Sequence, residues 1–288
     1  MASHCTESVF YEVKAGLLAR HRKVLMSSES EILTNILSRF LQNDHDRHAA
    51  VTEILASRDT AEIPGAAVDL NRATRCGFPE VVFGEGKSAE LITDIFCQPH
   101  ESGQRAFATR VSAEQAATIR NVFPEAEYNA TARTLLLWET GEAKCAVQSS
   151  VAVVTAGSCD AAVAAEAAAT LRWMGVGCEL IEDVGVAGPQ RLLKHVPLLQ
   201  SMHAIVCVAG MEAALPSVVG GHVACPVIGV PTSVGYGASF GGITAMLSML
   251  TCCASNVVTV NIDAGFRGGY VAGLIARGAD RDDNYRNS

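Results

Sequence analysis

Residues suited to anion binding and covalent chemistry are concentrated between positions 225 and 263 of this 288-residue chain. The stretch PTSVGYGASFGG (231–242) places four glycines within eight residues. A glycine-rich segment loses much backbone entropy when it becomes ordered, so its presence indicates a function. Because exposed glycine amides can bind oxyanions, we interpret the stretch as a ligand loop. Cys252 and Cys253 follow one helix-like segment later. Adjacent thiols point in different directions, so one can face a pocket, although composition alone favours a buried thiol without chemistry.

Two shorter segments also combine glycine with hydroxyl or carboxyl groups. TAGSCD (155–160) contains Ser158 and Asp160, which either cap the next helix or belong to a helix start that holds a phosphate or ribose. AGMEAALP (209–216) contains Glu212, which either begins a helix or serves as a metal ligand or acid/base group. Neither segment matches the dinucleotide fingerprint or the Walker A loop, so the sequence disfavours both of these common nucleotide-binding folds.

Strands and helices that must position these residues alternate over residues 150–279. Five β-branched runs predict strands at 151–156, 178–183, 204–209, 226–231 and 257–262. Helix-like segments separate the runs, and right-handed crossovers then give an α/β fold with a flavodoxin-like, doubly wound parallel sheet. Ligands bind outside the carboxyl ends of such strands. We therefore expect four loops to converge at one edge: 155–160, 209–216, 231–242 and 263–269.

The first half of the chain contains most of the charged residues, and its apolar residues have helical spacing at 31–42 and 51–59. It then predicts a strand at 81–83, a helix capped by Ser88, a strand at 106–111, a helix at 112–123 and strands at 128–138. We predict four parts: a helical N-terminal extension (1–66), a small α+β domain (67–147), the α/β domain (148–279) and a polar tail (280–288).

Composition narrows the classes of partner. A net charge of −8 disfavours nucleic acid, which requires a basic face. Ten scattered cysteines without a Cys-x-x-Cys pair predict reduced thiols in a cytoplasmic protein. The first twenty residues lack the apolar core of a secretory signal, and charges interrupt every long apolar run, so we expect no membrane span.

The motifs together carry a family resemblance. VVTAGSCD, AGMEAALPSVVGG, PVIGVPTSVGYGASFGG, TCCAS and VNIDAGFRGGYVAG closely resemble the LarB family, which acts in biosynthesis of the nickel-pincer nucleotide cofactor. The same half is more distantly similar to PurE, the carboxyaminoimidazole ribonucleotide mutase of purine synthesis. VDLNRATRCGFPEVVFGEGKS and ATRV also look like LarB and have no counterpart in PurE. The resemblance covers about residues 67–279.

The LarB resemblance implies a reaction. Nicotinic acid adenine dinucleotide would be carboxylated at carbon 5 of its pyridinium ring with CO2, and its phosphoanhydride hydrolysed, giving pyridinium-3,5-biscarboxylic acid mononucleotide and AMP. An electron-poor pyridinium cannot attack CO2, but a thiolate adduct is an enamine that can, and cysteine also leaves well. The family's Cys-Ala-Ser context matches Cys253, with Cys252 as the second choice. The chemistry requires a single pocket that one of these sulfur atoms reaches.

The resemblance also implies roles for other residues. Glu212 and Asp160 would act near Mg²⁺ and the diphosphate, both as metal ligands and in catalysis. Contacts to phosphate, ribose or ring would come from Ser158, Ser233, Gly235, Tyr236 and Gly237. Arg75 and Lys87 are weaker binding candidates in the N-terminal part, where solvated surface charge is the more frequent case. The related families further imply a homo-oligomer, such as an octamer.

Two other functions stay open, and one of them follows from a departure of this sequence from the LarB pattern. LarB proteins typically read Gly-Thr-Ser-Asp in the first loop, whereas this chain has Cys159 in place of a hydroxyl residue. A thiol donates hydrogen bonds poorly, so the substrate could differ, or the protein could be a non-catalytic nucleotide-binding regulator. The third possibility is carboxylation of aminoimidazole ribonucleotide. PurE uses a His in its second active-site loop, where this chain has Glu212, which counts against that possibility.

Overall fold

The structure is a computed structural model that describes residues 60–138 and 149–286, with a few helical positions between 34 and 49. The predicted helices at 31–42 and 51–59 therefore lie mostly outside the described residues. Beyond residue 279 the backbone alone is described. By sheet membership, residues 60–138 are here called the N-terminal domain and residues 149–286 the C-terminal domain.

The N-terminal domain combines a hairpin with a four-stranded mixed sheet of order β3-β4-β6-β5. Its elements are β1 (Thr60–Ile63), β2 (Ala66–Asp69), α1 (Arg72–Cys76), β3 (Val81–Phe83), α2 (Ala89–Glu101), β4 (Ala106–Thr109), α3 (Ala113–Val122), β5 (Glu127–Asn129) and β6 (Thr134–Leu137). A core that includes the buried rings of Phe96 and Phe123 lies between sheet and helices. This is the separate α+β fold that the sequence predicts.

Side-chain caps fix where the two long N-terminal helices begin. The Ser88 hydroxyl accepts a hydrogen bond from the Leu91 amide at 3.1 Å, as predicted. Ser112 and Gln115 form a capping box before α3. Gln115 also donates to the carbonyls of Gly84 and Lys87, at 3.0 and 2.7 Å, which fixes the turn after β3.

Two features of the N-terminal domain differ from the prediction. The strand β1 lies within the stretch 1–66 that the sequence pattern assigns to helices. It forms because Gly65 adopts a left-handed φ of 90° and turns the chain into β2. The short helix α1 is absent from the predicted elements, and Gly77 ends it in the left-handed region.

The C-terminal domain alternates strands and helices along its length. Its elements are β7 (Ser149–Thr155), α4 (Ala161–Trp173), β8 (Gly177–Ile181), α5 (Pro189–Leu193), α6 (Val196–Leu199), β9 (Ala204–Ala209), α7 (Leu215–Gly220), β10 (Val227–Pro231), α8 (Ile243–Leu250), β11 (Val257–Thr259) and α9 (Gly265–Arg286). The strand order is β8-β7-β9-β10-β11, and every pair is parallel. In order of appearance this is 2-1-3-4-5, so the predicted flavodoxin-like α/β fold is confirmed.

Close packing of α9 on α4 explains the glycines of the GFRGGYVAG segment. A Cβ built at Gly269 would lie 2.5 Å from the Ala167 carbonyl oxygen, and one at Gly265 would lie 2.2 Å from the Val163 carbonyl oxygen. Larger residues would therefore push the helices apart. The backbone of α9 continues to Arg286, so the predicted polar tail at 280–288 is helical over most of its length.

Two further observations concern long apolar helices and the cysteines. Among the described residues, no helix is both long and apolar enough to cross a bilayer. All eight cysteines within the described ranges are free thiols.

Candidate functional site

A buried Asp160–Thr232 pair joins two loops at the carboxyl-terminal edge of the sheet, the side on which β7, β9, β10 and β11 end. The Thr232 hydroxyl donates to Asp160 Oδ1 at 2.8 Å, and the Gly157 amide donates to Oδ2 at 3.0 Å. The two side chains are 0% and 3% exposed. Both carboxyl oxygens accept hydrogen bonds, so the pair fastens the loop after β7 to the loop after β10.

Burial and hydrogen bonding act in opposite directions on Asp160. Loss of hydration raises the pKa of its carboxyl above the ordinary value, and the neighbouring charge of Asp263 adds to the rise. Hydrogen bonds from Thr232 and Gly157 favour the charged form and lower the same pKa in part.

The other two predicted loops meet the same edge. The Ser233 amide donates to Asp263 Oδ1 at 2.8 Å, which connects the loops after β10 and β11. The Met211 amide donates to the Val234 carbonyl at 3.0 Å, which connects the loops after β9 and β10. A Cβ at Gly210 would come within 2.6 Å of Thr232 Oγ1, so this approach requires glycine. Four loops therefore converge, as the carboxyl-end rule predicts.

A fifth loop, which the sequence interpretation did not include, follows β8. The Asp183 amide donates to Thr155 Oγ1 at 3.0 Å, and the Val184 amide donates to the Thr155 carbonyl at 3.0 Å. A Cβ at Gly185 would lie 2.6 Å from the Ala156 carbonyl oxygen. The same carboxyl-end rule would have indicated this loop, because Asp183 is the last residue of a predicted strand.

The glycine-rich loop presents aromatic rings to solvent. Tyr236 and Phe240 are 81% and 72% exposed. Phe240 has a left-handed φ of 45°, and Gly241 and Gly242 continue in the left-handed region at 62° and 96°. A non-glycine residue in this conformation stores strain that is usually associated with function. The loop is thus a shaped, exposed surface beside the buried Asp160–Thr232 pair.

Comparison with known proteins places this geometry in a family. A family described as LarB/PurE-like N-terminal domain matches residues 60–139, and one described as AIR carboxylase matches residues 150–284. An uncharacterized protein of Methanocaldococcus jannaschii is 38% identical over 219 residues, 73% of this chain and 83% of that protein. The chain belongs to the LarB family. The predicted resemblance, with its carboxylase-type C-terminal region, is confirmed.

Among solved structures, a PurE2 variant of Treponema denticola matches this LarB-family chain with 16% identity and a TM-score of 0.36. The match covers 48% of this chain and 91% of that one.

The adjacent cysteines lie at the other edge of the sheet. The Val257 amide donates to the Ala254 carbonyl, and the Val227 amide donates to the Asn256 carbonyl, so residues 252–256 precede the amino ends of β10 and β11. Five strand residues separate this edge from Thr232, which is about 16 Å. One copy of the chain therefore does not form the expected pocket in which a sulfur atom of the 252–253 pair reaches the loops. The physical reason is that α8, which joins two parallel strands, must run back across the sheet.

Exposure nevertheless distinguishes Cys253 from several other thiols of this LarB-family chain. Cys253 is exposed and Cys252 is half-buried, with its Sγ 3.7 Å from the Ala254 carbonyl oxygen. Burial raises the pKa of Cys178 to about 11 and raises that of Cys207 further, which makes both poor nucleophiles.

The two predicted metal ligands have unequal environments. Asp160 is buried with both oxygens engaged by the protein, whereas Glu212 is exposed at the end of β9. Within the described part of the chain, no group of three or more His, Cys, Asp and Glu side chains could hold a metal ion. Mg²⁺ is commonly held by one or two carboxylates together with substrate phosphates, so the expected Mg²⁺ stays a prediction.

The remaining predicted contacts divide between loop and N-terminal domain. Ser158 and Ser233 are exposed at the carboxyl-terminal edge, as are Gly235 and Gly237 in the glycine-rich loop. Arg75 belongs to the N-terminal domain, where it is ion-paired with Asp69 at 2.5 Å and lowers the pKa of that carboxyl. Lys87 is half-buried in the turn that Gln115 fixes.

Proposed function

We propose that this LarB-family protein carboxylates the pyridinium ring of nicotinic acid adenine dinucleotide at carbon 5, using CO2, and hydrolyses the phosphoanhydride to release AMP. The product is pyridinium-3,5-biscarboxylic acid mononucleotide. The observation that carries the proposal is the convergence of five loops around the buried Asp160–Thr232 pair in a chain of this family. Such an edge, with exposed amides and aromatic rings, suits a nucleotide with a flat, charged ring.

The proposed covalent step uses Cys253 as the nucleophile and returns it unchanged. The Cys253 thiolate forms a bond to a ring carbon beside carbon 5, and the ring electrons move to give a neutral enamine. Carbon 5 then attacks CO2 and forms the new carbon–carbon bond. Loss of the carbon 5 proton and departure of the thiolate restore the aromatic cation, so the thiolate is regenerated and one proton is released.

The sulfur atom comes from a second copy of the chain in this proposal, because Cys253 lies at the opposite edge from the loops of its own copy. Exposed apolar side chains support such association. Ile243, Leu247 and Leu250 follow one face of α8 and are 41%, 53% and 60% exposed. An apolar stripe of this kind typically marks a contact with another protein surface. We therefore retain the predicted homo-oligomer, with no number of copies assigned.

Residues at the edge take different roles in this scheme. Asp160 positions the loop after β7, since its oxygens are engaged by Thr232 and Gly157. Tyr236, with its exposed ring, would stack on the substrate, while amides at Gly235 and Gly237 and the hydroxyls of Ser158 and Ser233 would contact phosphate or ribose. Contacts from Arg75 and Lys87 to the adenylate half stay predictions.

Magnesium stays a proposal that is separate from the chemistry above. No step is assigned to it, because both oxygens of Asp160 accept hydrogen bonds from the protein and Glu212 is a single exposed carboxylate. The expected test is titration of AMP release against Mg²⁺ after chelation, with Glu212→Gln compared with wild type. An unchanged Mg²⁺ dependence in Glu212→Gln would remove Glu212 from the metal proposal.

The deciding experiment measures AMP and dicarboxylated pyridinium nucleotide after incubation of the full chain with the dinucleotide and bicarbonate. We expect both products from wild type, none from Cys253→Ala and both from Cys252→Ala, which is the matched control. Carboxylation of aminoimidazole ribonucleotide instead would favour the alternative that the AIR carboxylase match keeps open. Dinucleotide binding without turnover would favour a regulator.

Complementation tests the second copy directly. Cys253→Ala and Asp160→Asn are each expected to be inactive when assembled alone. Co-expressed chains should regain activity, because a pocket of the first variant can pair with a sulfur of the second. Failure to regain any activity, with mixed assembly shown by mass spectrometry, would place the reacting groups in one chain.

A further inference from the structure

The helix α5 carries a cation that pairs with the preceding loop, which follows β8. Arg191 Nη1 contacts Asp183 Oδ2 at 2.7 Å, and the two side chains are 43% and 60% exposed. Exposed ion pairs contribute little to the stability of a fold. Stabilisation of the fold therefore gives little reason for this ion pair, and a role for Arg191 at the neighbouring site gives a better one.

Backbone contacts fasten this ion pair to the candidate site. Asp183 adopts a left-handed φ of 54°, and its amide is held by the buried Thr155 hydroxyl at the end of β7. Two residues further on, Gly185 approaches the Ala156 carbonyl oxygen too closely for any side chain. Residues 155–157 lead directly into the loop that holds Asp160. The guanidinium consequently lies beside the carboxyl-terminal edge through a short, rigid connection.

Local packing also presets the guanidinium. A Cβ at Gly188 would lie 2.7 Å from Arg191 Nε and 3.2 Å from Nη2, so the side chain lies flat against a glycine. Asp183 is its hydrogen-bonding partner within the described part of the chain, and it uses one terminal nitrogen. A guanidinium has five N–H donors, so most remain available to an incoming anion.

Carboxylates at this edge would repel an anionic ligand, so a cation there favours its binding. Asp160, Asp263 and Glu212 stand on the other loops, and Asp183 is on the loop itself. A phosphoryl group would be repelled by these carboxylates unless a cation met it, and Arg binds phosphate with two parallel hydrogen bonds. Arg267, exposed in the first turn of α9, is a second basic group at this edge.

We propose that Arg191 binds a phosphoryl group of the substrate, and that Asp183 holds the guanidinium in place until the phosphate displaces it. The assignment of that group to the dinucleotide's diphosphate rests on the proposed function. Arg191 thereby selects ligands with a phosphoryl group near the reacting ring, and Asp183 weakens their binding by competition.

The test measures binding of inorganic pyrophosphate to the full chain by calorimetry, which needs neither CO2 nor turnover. Loss of charged hydrogen bonds in Arg191→Gln should weaken binding by about 10- to 100-fold. Asp183→Asn should act in the opposite direction and tighten binding severalfold. Lys194→Gln, an exposed lysine three residues away, is the matched control and should bind as wild type does.

Opposite effects of the two partners separate this proposal from a structural ion pair. A structural role predicts that Arg191→Gln and Asp183→Asn change binding alike, through a shared change in the loop, and that result would overturn the proposal. Unchanged pyrophosphate binding in Arg191→Gln, or no binding by wild type, would also overturn it. If the dinucleotide is turned over, Arg191→Gln should raise KM with kcat nearly unchanged. Absence of turnover with the expected pyrophosphate results would refute the proposed function alone.

Discussion

Replacement of Thr232 by Val removes one hydrogen-bond donor from the centre of the site and leaves the size of the side chain nearly unchanged. The two side chains have the same shape, and position 232 is fully buried. Asp160 Oδ1 would lose its 2.8 Å hydrogen bond in a place that water does not reach. Hydrogen bonds to a charged group contribute about 1.5–3 kcal/mol, so we expect the free energy of unfolding to fall by that amount at pH 7.

The loss should depend on pH with a definite sign. Burial already holds the pKa of Asp160 above 3.8, and the Thr232 hydroxyl pulls it down, so Thr232→Val raises it further. A carboxyl with a raised folded-state pKa binds more protons in the folded than in the unfolded chain. Its contribution to stability is therefore present below the unfolded pKa and is lost as the pH rises through the folded pKa. Thr232→Val should cost less at pH 4 than at pH 7.

The two tryptophans allow each domain to be followed separately. Trp173 is fully buried in the C-terminal domain, and Trp138 lies in the N-terminal domain. Urea denaturation in a Trp138→Phe background, monitored by Trp173 fluorescence, reports the C-terminal domain. The control is Thr232→Val combined with Asp160→Asn, where the cost should be independent of pH. A cost below about 0.5 kcal/mol at pH 7, or one equal at both pH values, would refute a charged Asp160 held by Thr232.

Three further predictions concern packing, capping and association. Gly269→Ala should destabilise the C-terminal domain by about 1–3 kcal/mol, because its Cβ would meet the Ala167 carbonyl oxygen at 2.5 Å. Gly278→Ala, in the same helix with open space around it, should instead be neutral or gain up to about 1 kcal/mol in urea denaturation. Ser112→Ala removes a capping box and should cost about 1 kcal/mol, measured by Trp138 fluorescence in the N-terminal domain. Leu247→Glu should shift the sedimentation coefficient toward a smaller assembly, whereas the exposed control Gln190→Glu should not; equal coefficients for all three proteins would remove the α8 stripe as an interface.

The strands were predictable because buried parallel strands are apolar throughout and end at recognisable loops. AIVCVA predicts 204–209, and β9 spans those residues. The run at 178–183 predicts a longer strand than β8, which ends at Ile181 because Asp183 adopts a left-handed conformation to reach Thr155. The run at 257–262 likewise ends early at Thr259, since the Asp263 amide bonds to the Pro231 carbonyl as the chain turns into α9.

The missing parts of the site depend on contacts that local pattern does not contain. Thr232 reads as an ordinary polar residue at a strand end, and its partner Asp160 is 72 positions away in sequence. The position of Cys253, in contrast, was predictable from the sequence, because the strand–helix–strand topology alone determines it. A helix that links two parallel strands starts at the carboxyl edge and ends at the amino edge, so residues after it cannot share a pocket with the loop before it.

A two-fold axis perpendicular to α8 would remove this separation. The helix starts directly after the glycine-rich loop and ends three residues before Cys253, over about 12 Å. If two copies pair through the stripe Ile243, Leu247 and Leu250, the helices run antiparallel, and the end of one lies beside the start of the other. Cys253 of the partner subunit then approaches Tyr236 and Phe240 of the first copy, and the reverse contact forms the second site. Parallel pairing would instead bring the thiols together and leave both loops without a sulfur. One antiparallel contact would thus account for the exposed leucines of α8 and for the exposed rings and thiol beside its two ends, and it predicts that variants which lose association also lose turnover.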